Sequence, residues 1–375
     1  MRRLLAAGAA TLLLAGCASE TEGAPAPVPT TTSTTTPSAT PEPPALPTGE
    51  STVVAQDLDA PWSMVRLAGG STLISERDTA TVKELTDAGA VRVAGQVPGV
   101  APGGEGGLLG LAVLETDGAP YLYAYITARL DNRILRFPLL GTAGAFSLGP
   151  GEEVLTGIAK ASNHNGGRIA FGPDGMLYAT TGDAGDRNSA QDPASVNGKI
   201  LRMSATGGIP ADNPTPGSLV YSLGHRNPQG IAWDASGNLW AAEFGQDTWD
   251  ELNAITPGAN YGWPVVEGIG SDPAFVNPVA QWRTDDASPS GLAFVRGTFY
   301  MAGLGGERLW SIGTAHSDPV TTASWFLGEY GRIRDVTAGP DGTLWMLSSN
   351  TDGRGDLRSG DDKLIQVSLS TAPSG

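Results

Sequence analysis

Five loop-like segments carry the side chains of this 375-residue chain that could do chemistry. The first is Ser162-Asn163-His164-Asn165-Gly166-Gly167-Arg168. A histidine in a glycine-flanked polar loop is poorly placed for core packing. Its ordinary titration range near neutrality suits it to general-base work; a turn-bound surface histidine is the plainer reading. The second is Gly224-His225-Arg226-Asn227-Pro228-Gln229-Gly230, where Arg226 could clamp a carboxylate or a developing oxyanion, or simply pair with local acids. The third runs from Glu243 to Asn253 and contains Gly245, Gln246, Asp250 and Glu251. Its acids and irregular backbone carbonyls are hard oxygen donors of the kind Ca²⁺ takes, although its spacing is not that of an EF-hand and acid-rich loops are often only solvated. The fourth is Gly331-Arg332-Ile333-Arg334-Asp335, in which alternation sets two guanidiniums on one face, forming either an anion site or a pair of surface arginines answered by nearby carboxylates. The fifth is Gly103-Gly104-Glu105-Gly106-Gly107-Leu108-Leu109-Gly110, which lacks the βαβ context of a phosphate-binding fingerprint. It reads as backbone passing close to another backbone or to a ligand.

The elements that must position these loops repeat along the chain. Residues 168–183 (RIAFGPDGMLYATTGD), 230–245 (GIAWDASGNLWAAEFG), 291–306 (GLAFVRGTFYMAGLGG) and 335–350 (DVTAGPDGTLWMLSSN) share one pattern. Each is an alternating apolar strand, a turn on Asp, Ser or Gly, and a second strand opening on an apolar–aromatic pair, which is a β-hairpin signature. Weaker copies begin at Pro61 and Gly107. Units of roughly 40–60 residues that cannot bury their faces alone point to a six-bladed β-propeller of four-stranded blades. Seven blades, or a sandwich or β-helix, are the competing architectures. Fifty-two glycines, nine tryptophans and only 17 % charged residues agree with many short strands and turns rather than a helical bundle. A net charge of −16 argues against a nucleic-acid partner. A single cysteine excludes an internal disulfide framework and a cysteine-cluster metal site.

The N-terminus reads differently. Met1-Arg2-Arg3, an apolar stretch from Leu4 to Ala15 and the tetrapeptide Leu14-Ala15-Gly16-Cys17 resemble a bacterial lipoprotein signal. The expectation is a signal peptide over 1–16, lipidation of Cys17, a Thr/Pro-rich disordered tether over 17–50 and a propeller over 51–370. The protein is then extracytoplasmic and held to a bacterial cell membrane by its lipid alone.

The strings GEGGLLG, NHNGGRIAFGPDGMLYATTGD, GHRNPQG, the acidic loop with NYGWP, and GRIRDV…GPDG, in that order, resemble the soluble quinoprotein glucose/aldose sugar dehydrogenases. The resemblance runs from about Ala60 to about Val367. It implies a six-bladed propeller that uses pyrroloquinoline quinone (PQQ) and Ca²⁺ to oxidise aldoses, passing electrons to an acceptor the sequence does not name. It implies that His164 is the base taking the anomeric hydroxyl proton. It also implies that Arg226 and Asn227 contact the quinone oxygens, that Arg332 and Arg334 hold cofactor carboxylates, and that Glu105 lies near the histidine. Carbonyls of Gly245 and Gln246, with side chains of Asp250 and Glu251, serve calcium, and Trp282 covers the cofactor. Two departures stand out. Gly305 falls where some relatives carry a cofactor-contacting lysine, with Arg308 as a candidate substitute, and Asn163 stands where the glucose-oxidising branch has an aspartate. A non-catalytic propeller lipoprotein binding a sugar or protein partner, and a calcium-dependent lactonase-type hydrolase, are the alternatives.

Overall fold

The structure is a computed structural model that describes residues 44–115, 118, 120–314 and 320–371. The expected signal peptide, Cys17 and most of the expected tether lie outside the described residues. The described chain forms six antiparallel sheets. In chain order the blades occupy Pro61–Gln96, Leu108–Ile158, Ile169–Leu223, Pro228–Arg283, Pro289–Trp325 and Ile333–Thr371, and each of the first five is built from consecutive strands. The second carries one extra two-residue strand, Ser147–Leu148. The four clear sequence repeats are the two innermost strands of the third to sixth blades, and the two weaker copies are those of the first and second.

The last blade is completed from the other end of the chain. Strand Ala45–Ala55 pairs antiparallel with Leu364–Thr371, Ala45 opposite Thr371 and Ala55 opposite Leu364. The ring is thus fastened by its own termini. Residues 45–50, given to the tether on composition, are strand, and the carbonyl of Ala45 accepts hydrogen bonds from Thr298 Oγ1 at 2.9 Å and Tyr300 Oη at 2.6 Å in the fifth blade.

Strand alternation explains why the blades cohere. Successive side chains point to opposite faces of a strand. In the second blade Leu122, Ala124 and Ile126 pack toward the first blade, while Tyr123 and Tyr125 pack toward the third. In the fifth, Phe299 and Met301 face the fourth blade and Tyr300 faces the sixth. Six buried apolar clusters result, one between each adjacent pair of blades. A one-residue register slip would turn every such pair around, which pins the pairing. No helix among the described residues is long and apolar enough to cross a membrane.

Candidate active site

The segments entering each innermost strand meet those leaving the second strand at one end of the ring. Backbone bonds tie them blade by blade: Arg77 N–H to the Ala60 carbonyl, Asp183 N–H to Arg226, Leu304 N–H to Ser288, and Ser349 N–H to Arg332. All five sequence-selected loops converge there.

The glycine-rich run works by close approach. A Cβ on Gly104 would lie 2.1 Å from the Ser162 carbonyl oxygen, and one on Gly110 would lie 2.2 Å from that of Gly167. Only glycine lets this backbone lie against the histidine loop. That contact brings Glu105 to His164, whose backbone N–H donates to Glu105 Oε2 at 2.9 Å.

The imidazole of His164 is held from behind. Its Nδ1 lies 2.7 Å from Asp183 Oδ1, and Asp183 also accepts the Gly185 N–H at 2.8 Å and the Trp263 indole N–H at 2.9 Å. Burial opposes ionisation of Asp183. The hydrogen bonds from His164, Gly185 and Trp263 nonetheless hold its carboxyl below the ordinary carboxylate range. An ionised carboxylate only accepts, so Nδ1 carries the ring proton and Nε2 is left as the basic nitrogen. Asp183 and Trp263 were not singled out as site residues in the sequence. Asp183 closes the 168–183 repeat, and Trp263 sits in the NYGWP segment, which folds back to reach it.

Glu105, which accepts the His164 N–H, also lines a pocket of about 180 Å³ walled by four arginines, Arg77, Arg332, Arg334 and Arg354. Its apolar wall is Trp62, Phe244 and Leu304, and Glu105 is the one carboxylate on its lining. Arg332 and Arg334 both reach Asp352 Oδ2, at 3.2 and 3.4 Å, so they do share a face. Arg77 forks onto Asp78 at 2.7 and 2.8 Å. The guanidinium of Arg334 also lies over the Trp62 ring, 5.8 Å from its centroid, with Arg168 at 4.4 Å from the same ring. Burial, relieved in part by Asp352 and deepened by Arg332 and Arg77, pushes Arg334 down to about 9. Its Nε and that of Arg332 are buried without a hydrogen-bond partner among the described residues. Crowded cations with orphaned donors around a cavity suit a multiply charged anion.

The remaining sequence candidates fall into place unevenly. Arg226 reaches the Gln246 side chain at 3.2 Å and lies over the Trp263 ring at 5.5 Å. Asn227 is buried, and its Oδ1 accepts the Gly166 N–H at 3.0 Å, tying the arginine loop to the histidine loop. The carbonyls of Gly245 and Gln246 accept no hydrogen bond among the described residues, which suits a cation ligand pair. Asp250 and Glu251 are otherwise engaged. Asp250 accepts the Gly245 and Ser288 N–H groups at 2.9 and 2.6 Å, and burial pushes its carboxyl up to about 7. Glu251 accepts the Gly268 N–H at 2.7 Å and the Asn253 amide at 3.1 Å, and burial followed by the nearby Glu243 raises its carboxyl. Both shape the loop with their oxygens. Among the described residues no three His, Cys, Asp or Glu side chains converge to hold a metal.

Two expectations are corrected. Trp282 does not cover a cofactor: it lies in the outer strand of the fourth blade, 7 % exposed, packed against Trp310 at 5.6 Å in the core between the fourth and fifth blades. The aromatic groups at the pocket are Trp62 and Phe244. Arg308 does not replace the missing lysine either. It donates to the Gly306 carbonyl at 2.7 Å, pairs with Asp286 at 3.6 Å and lies over Trp310, away from the pocket lining. At Gly305 a Cβ would meet Ser288 Oγ at 2.5 Å, so no side chain fits there while Ser288 keeps its place.

A closed six-bladed propeller with an arginine-walled pocket and a histidine–aspartate pair at one mouth is a scaffold whose crowded cations suit an anionic group and whose imidazole is oriented by a carboxylate. The chain belongs to the glucose/sorbosone dehydrogenase family, whose model matches residues 58–359. It is similar to the PQQ-bound aldose sugar dehydrogenase of Streptomyces coelicolor, with 50 % identity and a TM-score of 0.81 over 87 % of this chain and 100 % of that one. It is 34 % identical over 218 residues to an aldose sugar dehydrogenase of Escherichia coli, spanning 51 % of this chain and 58 % of that protein. It is 30 % identical over 260 residues to quinoprotein glucose dehydrogenase B of Acinetobacter calcoaceticus, spanning 60 % of this chain and 54 % of that protein. The aligned region is thus little more than half the length of those two relatives.

Proposed function

We propose that this protein oxidises aldose sugars at the anomeric carbon to lactones, using PQQ in the arginine pocket and Ca²⁺ at the Gly245–Gln246 carbonyls. The observation that carries this reading is the four-arginine pocket whose lining includes Glu105, the acceptor of the His164 backbone N–H. Arg332 and Arg334, preset by Asp352, hold carboxylates, and Trp62 and Phe244 offer apolar faces to a flat ring system. Bound there, PQQ would supply a two-electron acceptor for the oxidation of the anomeric carbon. His164 Nε2 takes the proton of the anomeric hydroxyl, and Asp183 stabilises the imidazolium that results. Arg226, half-buried and steadied by Trp263 and Gln246, presents positive charge where oxyanion character develops. A lactonase or a partner-binding propeller has no comparable use for the guanidinium wall.

The N-terminal residues support a lipoprotein reading: cleavage before Cys17, lipidation there, and an extracytoplasmic domain tethered to the membrane. Incorporation of radiolabelled palmitate, lost in Cys17→Ala, is its test.

The catalytic reading is tested by loading purified protein with PQQ and Ca²⁺ and following aldose-dependent dye reduction. Wild-type protein is expected to turn over, and His164→Gln is expected to fall by at least about 10³-fold in kcat while still binding PQQ. Failure of the wild-type protein to bind PQQ, or to oxidise any aldose when loaded, refutes the reading. Full activity in His164→Gln refutes the base alone.

A further inference from the structure

The four arginines of the pocket are not equivalent. Arg77, Arg332 and Arg334 have side chains 6, 13 and 4 % exposed, each within hydrogen-bond reach of an aspartate. Arg354 is different. Its side chain is 42 % exposed, and its nearest carboxylate is Glu105, 3.8 Å away and beyond hydrogen-bond distance. Its backbone is nevertheless fixed, because the Arg354 N–H donates to Asp352 Oδ1 at 2.9 Å. Gly353, at φ +84°, and Gly355, where a Cβ would lie 2.9 Å from the Arg332 side chain, flank it in a tight turn. A pinned backbone thus carries a cationic arm with no strong partner, reaching over a cavity.

Charge balance gives that arm its meaning. Arg77 and Asp78 form a neutral pair. Of the remaining charges at the pocket, Arg332, Arg334 and Arg354 stand against Asp352 and Glu105, an excess of one positive charge. Without Arg354 that balance is zero. The far wall, from the fifth blade, contributes Ser288 and Leu304 but no cation, and Gly305 carries no side chain.

We propose that Arg354 is a further cofactor-binding residue: it leaves Glu105 and closes onto a carboxylate of the bound anion, supplying the net positive charge that the fifth blade lacks. This rests on the PQQ reading above and adds the residue that retains the cofactor. The cations fixed by aspartates lose little freedom on binding, but their charge is already partly answered. Arg354 is ordered only when the anion arrives, and its charge is the one still to be neutralised.

The test is a titration of metal-loaded apoprotein with PQQ, read by quenching of tryptophan fluorescence, in wild type, Arg354→Gln, Arg354→Lys and Arg283→Gln. Arg283 is an exposed arginine on the outer strand of the fourth blade, so its loss removes the same charge away from the pocket. Arg354→Gln is expected to weaken PQQ at least about tenfold and to flatten the salt dependence of Kd. Arg354→Lys should recover part of the loss, and Arg283→Gln should match wild type. Thermal melts of the four apoproteins are expected to coincide. Wild-type affinity in Arg354→Gln overturns the proposal, as does an equal loss in Arg283→Gln. No quenching in the wild type overturns the PQQ reading itself, a result distinguishable from either of these.

Discussion

Asp183→Asn is the sharpest perturbation of the site, because it is isosteric and touches three donors at once. Asp183 accepts from His164 Nδ1 at 2.7 Å, Gly185 N–H at 2.8 Å and Trp263 Nε1 at 2.9 Å. An asparagine has one oxygen for these three. If that oxygen faces His164 and Gly185, the amide N–H₂ meets the indole N–H, and a buried donor is left unpaired at a cost of about 1–3 kcal/mol. If it faces Trp263, the Gly185 N–H is orphaned and the amide donates to Nδ1, driving the ring proton to Nε2 and removing the base. The first orientation keeps the tautomer but loses the charge that stabilises the imidazolium. A charged hydrogen bond is worth about 1.5–3 kcal/mol, or roughly 10–100-fold in rate. The second adds the wrong-tautomer penalty, which in the buried His–Asp pair of serine proteases reaches about 10⁴. We therefore expect kcat/KM to fall by about 10–10⁴, according to which orientation the amide takes, with PQQ affinity unchanged. Stability carries a matching signature. The folded-state value of Asp183 lies below its unfolded one, so its contribution is present above the ordinary carboxylate range and is lost as pH falls through the folded value. Asp183→Asn should flatten that part of the acid unfolding curve. Dye-coupled kinetics give the first number, and ¹⁵N spectra of the ring nitrogens give the tautomer in a chain with only three histidines. Activity within twofold of wild type, with the proton still on Nδ1, refutes the reasoning.

Two further outcomes follow from the fold. Trp282→Ala is expected to cost about 3–5 kcal/mol in denaturant unfolding while leaving the Kd for PQQ unchanged, as befits a core residue; a weakened Kd at undiminished stability would restore it to the cofactor site. Chains beginning at residue 44 and at residue 56 should differ sharply in a thermal melt. The first keeps full stability, and the second loses a share comparable with the ~5–15 kcal/mol that holds a whole domain, because it lacks the strand that closes the ring. Equal melting of the two would show that this pairing is dispensable.

The fold was largely readable in the chain because each blade repeats a local signal. Alternation and turn glycines are properties of a few adjacent residues, and they located the inner hairpins of all six blades. The closing strand was not readable. Ala45-Leu46-Pro47-Thr48 has tether-like composition, and it becomes strand only through partners more than 300 residues away. The site divided along the same line. His164, Arg226, Arg332 and Arg334 sit in compact motifs, whereas Trp62, Arg77 and Arg354 are single residues in unremarkable surroundings that the ring brings to one cavity. Asp250 and Glu251 illustrate the converse. Their types suggested ligands, but only the three-dimensional placement of the Gly245, Ser288 and Gly268 N–H groups shows where their oxygens are used.

The pairing of Ala45–Ala55 with Leu364–Thr371 also sets an order in time. The first strand of the domain to be synthesised acquires its partner only when the last has been made. Until then the sixth sheet is incomplete and the ring is open. Closing so long a loop adds little to the equilibrium cost, which grows only with the logarithm of its length, but it delays the final step relative to the local hairpins. A chain stopped short of residue 364, or clipped there, leaves two unpaired sheet edges instead of a sealed seam. The seam therefore requires the last strand of the propeller before Arg332, Arg334 and Arg354 of the sixth blade can be fixed opposite Arg77 of the first.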